Sequence, residues 1–186
     1  KFNLFYVEHQ SHIGGRFSVL SEVGIVPALL MGVNIFKLRS NILRSFKGRE
    51  FFFLKDSVIK LASLLNSKKI NNLIFVNYCP KLEKFLFWCQ QLIAESLGKK
   101  GRGILPTLST MPKDNHSLMQ LYLDGPKNNF FTFFYVREKN SIKINKNKIL
   151  SPYNYLKNKS LSQITLSQKL ATENVFLKKN IPFRSF

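Results

Sequence analysis

The residues of this chain best suited to chemistry stand together near its start, in Ile13-Gly14-Gly15-Arg16-Phe17-Ser18. Two glycines let the backbone come close to a ligand, and an arginine beside them offers a planar fork of donors to oxyanions. At the mouth of a helix, such a loop adds free N–H groups that suit an anion. Gly-Gly-Arg also occurs in ordinary turns, so on physics alone the segment reads either as an anion loop or as a turn. Three histidines, His9, His12 and His116, are natural proton carriers. His9 and His12 directly precede the glycine pair and could reach the same crevice, while His116 either acts on a substrate or caps and orients a helix. Nothing in the sequence decides between the three. Cys79 and Cys89 are too few for a disulfide framework and lack the paired spacing of a zinc site.

The elements that must position these residues follow from apolar spacing. Ser11 to Gly32 reads as a loop leading into a buried helix, with an apolar stretch from Val19 to Val33 interrupted by Pro27. Helical spacing over Asn34–Phe46 puts Ile35, Leu38, Ile42 and Phe46 on one stripe, and Gly48 should end that helix. A further helix is predicted from about Lys55 to Asn66, with Val58, Leu61, Ala62 and Leu65 on its stripe. Asn72 to Tyr78 is an unalternating apolar run, as expected of a parallel strand covered on both faces. Pro80 then suits the first turn of a helix whose core stripe is Leu82, Phe85, Leu86, Cys89, Leu92 and Ile93 and which Gly98 closes.

Next come a short strand at Gly103–Leu108, a helix from about Asp114 to Leu123 capped by Asp114 or Asn115, and a strand at Phe130–Val136. Arg137 to Lys159 is polar and lysine-rich, a loop or excursion without a core of its own. Ser160 to Lys179 reads as a helix and Ile181–Phe186 as the start of a strand. This alternation predicts an α/β fold, a doubly wound, mostly parallel sheet with helices on both faces, in which ligands sit at the carboxyl ends of the strands.

The order of several motifs extends the reading. Gly14-Gly15-Arg16-Phe17-Ser18, followed by Ser21 and Val23-Gly24, resembles the signature of the phosphoglucose isomerase family, with Glu22 standing where a small residue or proline is usual. Ala94-Glu95-Ser96-Leu97-Gly98-Lys99 with Gly101, Gly103 and Pro106 is similar to the segment entering the family's next strand. His116-Ser117 with Gln120, then Asp124-Gly125, resembles the following helix, and Ala171-Thr172-Glu173 the last domain helix. These matches keep the family's order over nearly the whole chain.

The resemblance implies that residues 1–186 are a single SIS-type sugar-isomerase domain within a longer enzyme. It also implies interconversion of glucose 6-phosphate and fructose 6-phosphate without a cofactor. Such a reaction needs a base that moves a proton between neighbouring carbons, a cation that stabilises the enediolate, and a group that opens the sugar ring. On the resemblance, Arg16 carries the stabilising role, Gly14, Gly15, His116 and Gln120 line the substrate, and Asp124 is the candidate base. Asp124 is one methylene shorter than the usual glutamate, and as the end of a helix before Gly125 it reads equally as a solvated residue. Leu108-Ser109-Thr110-Met111-Pro112 offers no carboxylate where longer family members have one. The family's serine- and threonine-rich phosphate loop and its C-terminal lysine are not in this sequence, so the chain alone should be inactive. The full-length enzyme is expected to be a cytoplasmic homodimer whose sites borrow from the partner subunit.

Composition bounds the alternatives. With 186 residues, 45% of them apolar and 13% aromatic, the chain can bury a core of one α/β domain. It opens on Lys1 rather than Met and stops inside the last predicted strand, as a piece of something longer would. No apolar run reaches the roughly 20 residues of a spanning helix, so no membrane partner is expected. The net charge of +19 attracts polyanions. Its lysines, however, are spread among Asn, Ile and Phe as a coding bias would spread them, and the run Lys143, Lys146, Lys148, Lys157, Lys159 reads as a solvated face. Most phenylalanines fall in predicted buried strands or stripes, leaving few to stack on bases, so no nucleic-acid partner is expected. A non-catalytic phosphosugar-binding SIS module is the remaining alternative.

Overall fold

Each of the unalternating apolar runs becomes a strand in the computed structural model, which describes residues 4–40, 42–145, 149 and 151–186. The chain divides into two units, Lys1–Ser63 and Leu64–Phe186.

In the first unit, a 3-10 turn over Gly15–Leu20 leads into α1 (Glu22–Leu30), followed by α2 (Ile35–Ser40) and α3 (Ile42–Ser45). Ser18 is buried and its Oγ donates back to Gly15 O at 2.7 Å, while Ser21 Oγ donates to Ser18 O at 2.8 Å. Gly24 explains the glycine of the Val23-Gly24 step: a Cβ there would stand 2.1 Å from Val19 O and 2.8 Å from its Cα. Only glycine lets α1 start against the 3-10 turn so closely. Two expectations are corrected here. The helix with Pro27 was expected to be buried, yet no residue of α1 is, and Leu30 is 83% exposed. The helical spacing read over 34–46 is met by Ile35–Ser40 and Ile42–Ser45, with residue 41 outside the described residues. Gly48, at φ +65°, opens α4 (Gly48–Asn66) instead of ending the helix before it.

α4 begins seven residues before the predicted Lys55, with Glu50 in its first turn, where an acidic side chain favours the positive end of the helix dipole. Its half-buried stripe is Ser57, Leu61, Leu64 and Leu65, while Val58 is exposed.

The second unit is built on β1 (Asn72–Asn77), β2 (Leu105–Thr110), β3 (Asn129–Phe134) and β4 (Phe183–Ser185), all parallel in the order β2-β1-β3-β4. β2 starts two residues later than the spacing suggested. The crossovers are α5 (Glu83–Leu97) from β1 to β2, α6 (Lys113–Ser117) with α7 (Met119–Asp124) from β2 to β3, and α8 (Leu161–Lys178) from β3 to β4. From β1 the chain moves one way along the sheet and from β2 it returns past β1, so right-handed crossovers place helices on both faces. Ile74 and Val76 pair in register with Phe131 and Phe133 and share one face, where they meet Tyr122 of α7 and Phe176 of α8. Phe176 is fully buried, with its ring centroid 4.8 Å from Phe131 and 5.4 Å from Phe133. Leu73 and Phe75 point to the other face, and α5 is tied to β2 by Gln90 Nε2 donating to Pro106 O at 2.9 Å.

α8 starts on a capping box, in which Ser160 Oγ accepts from Gln163 N and Gln163 Oε1 from Ser160 N. Its Lys169 is buried, with Nζ donating to Glu173 Oε1 at 2.7 Å and to Ser185 Oγ of β4 at 2.6 Å. The excursion after β3 carries a 3-10 stretch at Ser151–Leu156 and an antiparallel bridge from Lys143 to Ser160. Of the basic run read there, Lys146 and Lys148 lie outside the described residues. The expectation about phenylalanines holds for the sheet and for Phe176 of α8. Phe75, Phe130, Phe131 and Phe133 are buried in strands, whereas Phe5, Phe17, Phe36, Phe46, Phe52 and Phe53 are exposed.

Candidate functional site

The glycine pair is open in the way a ligand loop requires. Gly14 and Gly15 are exposed, and a Cβ added at either would meet nothing within 4 Å. Gly14 has φ −68° and ψ 151°, a conformation any residue adopts, so neither packing nor backbone strain explains the glycines. Arg16 is half-buried, with Cζ 5.7 Å from the centroid of the exposed Phe17 ring. The loop enters a six-residue 3-10 turn rather than an α-helix, and the first turn of α1 already carries Glu22. The helix-terminus contribution expected for an anion is therefore absent from this loop, leaving the exposed backbone and the guanidinium.

Just before the loop, the His9 ring lies between two acceptors. Nδ1 meets the Glu22 carboxylate and Nε2 meets Ile13 O at 3.0 Å. The hydrogen bond to Glu22 raises the His9 pKa above its ordinary value, and Glu22 is lowered by its own backbone N–H and by His9.

In the second unit, β1 and β3 are neighbours whose crossovers leave in opposite directions, so their carboxyl ends form the switch point of the sheet. Lys81, after β1, bridges to Glu138, after β3, at 2.7 Å, and this bond raises the lysine's pKa. Tyr78 OH lies 2.8 Å from Thr172 Oγ1, and burial raises its phenol. Asn77 Oδ1 accepts from Cys79 N at 2.9 Å, while its Nδ2 is buried with no partner among the described residues.

At the carboxyl end of β2, Asp114 is buried. It accepts from Thr110 N at 2.8 Å, from Ser109 Oγ at 3.0 Å and from Ser117 Oγ at 3.2 Å. Pro112 holds the N-cap position of α6, so Asp114 is not the cap that was expected; it binds the strand end to the helix from within the first turn. His116 stands two residues on and is exposed. Sequence reading took Asp114 for a helix cap, and the spacing of Ser109, Asp114 and Ser117 was the signal available for its network.

Asp124 is the last residue of α7, immediately before the turn into β3, so it lies at the amino-terminal edge of the sheet. It is exposed, with Gln120 Nε2 donating to Oδ2 at 3.0 Å and Lys179 Nζ to Oδ1 at 2.6 Å. Lys179 is the main cause holding the Asp124 carboxyl below its usual range. The structure therefore joins Asp124 to Gln120 and sets His116 at the opposite edge. Arg16, Gly14 and Gly15 belong to the first unit. Lys179, 55 residues away, gave no sequence signal. Among the described residues no group of three His, Cys, Asp or Glu is placed to hold a metal, and no helix is long and apolar enough to cross a membrane.

The probable glucose-6-phosphate isomerase of Methanococcus maripaludis is 35% identical to this chain over 192 residues, covering 98% of the chain and 42% of that protein. The glucose-6-phosphate isomerase of Methanocaldococcus jannaschii is 34% identical over 92% of the chain and 43% of its own length. That of Mycoplasmopsis pulmonis is 36% identical over 90% and 40%. The chain spans about two fifths of the length of these curated relatives. A crystal structure of a hypothetical protein from Thermus thermophilus superposes with a TM-score of 0.78 over 93% of the chain and 43% of its own, at 24% identity, a likeness of fold. No family model matches the chain.

Proposed function

Because this chain is homologous to the glucose-6-phosphate isomerase family over most of its length, we propose that it is one SIS-type domain of such an enzyme. In this reading the complete protein interconverts glucose 6-phosphate and fructose 6-phosphate through an enediolate, in glycolysis and gluconeogenesis, as a cytoplasmic homodimer. The observation that carries the reading is the open Gly14-Gly15-Arg16 loop inside a chain that aligns with these isomerases nearly end to end.

Arg16 supplies a fixed positive charge where the sugar oxygens become negative, and the bare backbone at Gly14 and Gly15 lets the substrate lie against it. His116 and Gln120 contribute polar contacts to the sugar. Their distribution suits a site completed by a second copy, since His116 and the Gln120–Asp124 pair lie at opposite edges of the sheet. The proton-moving base is a carboxylate whose pKa must lie near the working pH. Asp124, held low by Lys179, is a weaker base than its sequence position suggested. That engagement is the one observation favouring the non-catalytic phosphosugar-binding module.

A coupled assay of fructose 6-phosphate turnover tests the reading. It compares this chain alone with the M. maripaludis enzyme in which the aligned two fifths are replaced by this chain. We expect no turnover from the chain and clear turnover from the chimera. A folded chimera that binds fructose 6-phosphate without converting it would favour the non-catalytic module.

A further inference from the structure

His9 and Glu22 make a clasp that closes across the signature loop. His9 Nε2 faces Ile13 O, the carbonyl directly before Gly14, and a carbonyl can only accept. Nδ1 faces the Glu22 carboxylate, which also only accepts when ionised. Both bonds together require both ring nitrogens to carry protons, so the geometry is that of an imidazolium. Its two partners lie on either side of residues 14–21, one at the loop's entry and one on the first turn of α1, to which the loop leads.

We infer that His9 and Glu22 are positioning residues for the Gly14-Gly15-Arg16 loop, holding it in its observed arrangement only while His9 is protonated. Glu22 is the residue at which the signature departs from its usual small residue or proline, and the clasp gives that departure a physical purpose. A neutral imidazole keeps one N–H and must release either Ile13 or Glu22. Among the described residues, Glu22 is the titratable group that meets the ring, while Glu8 and His12 flank it along its own segment. The signs define a window. The raised His9 contributes its clasp fully below the ordinary histidine value of about 6.5 and loses it as pH rises through the raised value. The lowered Glu22 contributes above the ordinary carboxyl range and loses its part as pH falls through its lowered value.

The importance of the loop for turnover rests on the isomerase reading, but the clasp itself does not, so the test begins with the chain alone. The chain has three histidines, and nuclear magnetic resonance titration of their rings, assigned with His12→Gln and His116→Gln, gives the His9 midpoint. We expect it above about 6.5, falling back toward that value in Glu22→Gln. Amide-exchange protection of residues 14–17, corrected for intrinsic rates, should drop several-fold as pH passes the midpoint. In His9→Gln it should be low and independent of pH. A His9 midpoint at or below about 6.5, one unmoved by Glu22→Gln, or loop protection indifferent to His9 would overturn the inference. In the chimera, Glu22→Gln should move the alkaline limb of the kcat profile to lower pH. An unmoved limb in an active chimera would overturn the positioning role, while absent turnover with a normal titration would count against the isomerase reading alone.

Discussion

Lys179 Nζ meets Asp124 Oδ1 at 2.6 Å, joining the residue that follows α8 to the last residue of α7. Both helices end at the amino-terminal edge of the sheet, so the pair clasps the two chain segments that enter β3 and β4. This contact gives the candidate base a structural occupation. We expect Asp124→Asn and Lys179→Met in the chimera to keep kcat within about tenfold of the parent. Loss of a general base typically costs about 10²–10⁴-fold. A loss of that size in Asp124→Asn, with Lys179→Met raising the acidic limb of the pH profile, would restore Asp124 to the catalytic role. If Asp124→Asn stays active, Glu95 is the next carboxylate to replace, since it is exposed and lies in the last turn of α5 on the same edge.

Lys169 and Glu173 make a nearly buried pair, with side chains 9% and 12% exposed, and Lys169 also donates to Ser185 of the edge strand β4. Removing one member of such a pair leaves the other charge without its partner in a poorly solvated place. Lys169→Ala should therefore lower the unfolding free energy of the chain by about 3–5 kcal/mol in urea titrations at pH 7. The double replacement Lys169→Met with Glu173→Leu should recover most of that loss. A single variant as stable as the parent would mean that water reaches the pair.

β1 and β3 were legible because they are covered on both faces, and burial on both faces erases alternation: Leu73-Ile74-Phe75-Val76 and Phe130-Phe131-Thr132-Phe133 announce themselves. α5 was legible from its stripe and from Gly98 at its end, and α8 was read as a helix from Ser160 onward. The first unit was read less well, because its apolar residues do not report a core. Leu29, Leu30 and Phe36 are exposed, so the apolar stretch that suggested a buried helix marks an uncovered one. Of the candidate site, Gly14, Gly15 and Arg16 are proposed from residue type and from the family resemblance. The partners that tune the acids and bases, Lys179 for Asp124 and Glu22 for His9, are separated from them by 55 and 13 residues, and no local pattern links such distant positions.

Arg16 is the residue on which the functional reading turns. As the enediolate forms, negative charge grows on the sugar oxygens, and a guanidinium already in place stabilises that charge more than it stabilises the neutral sugar. Its effect should therefore fall on kcat, by about 10²–10³-fold in Arg16→Ala, with a smaller change in KM. The fold should survive, because Arg16 is only half-buried, and its turn is anchored by the Ser18 and Ser21 hydroxyls with Gly24 packed against Val19. Arg16→Lys should stay well below normal turnover, since an ammonium is a point donor and cannot reproduce two parallel bonds to neighbouring oxygens. The measurement is kcat and KM for fructose 6-phosphate in the chimera, with circular dichroism to establish folding. Near-normal turnover in folded Arg16→Ala would remove the arginine from the chemistry and leave the glycine loop as a binding element of a phosphosugar module.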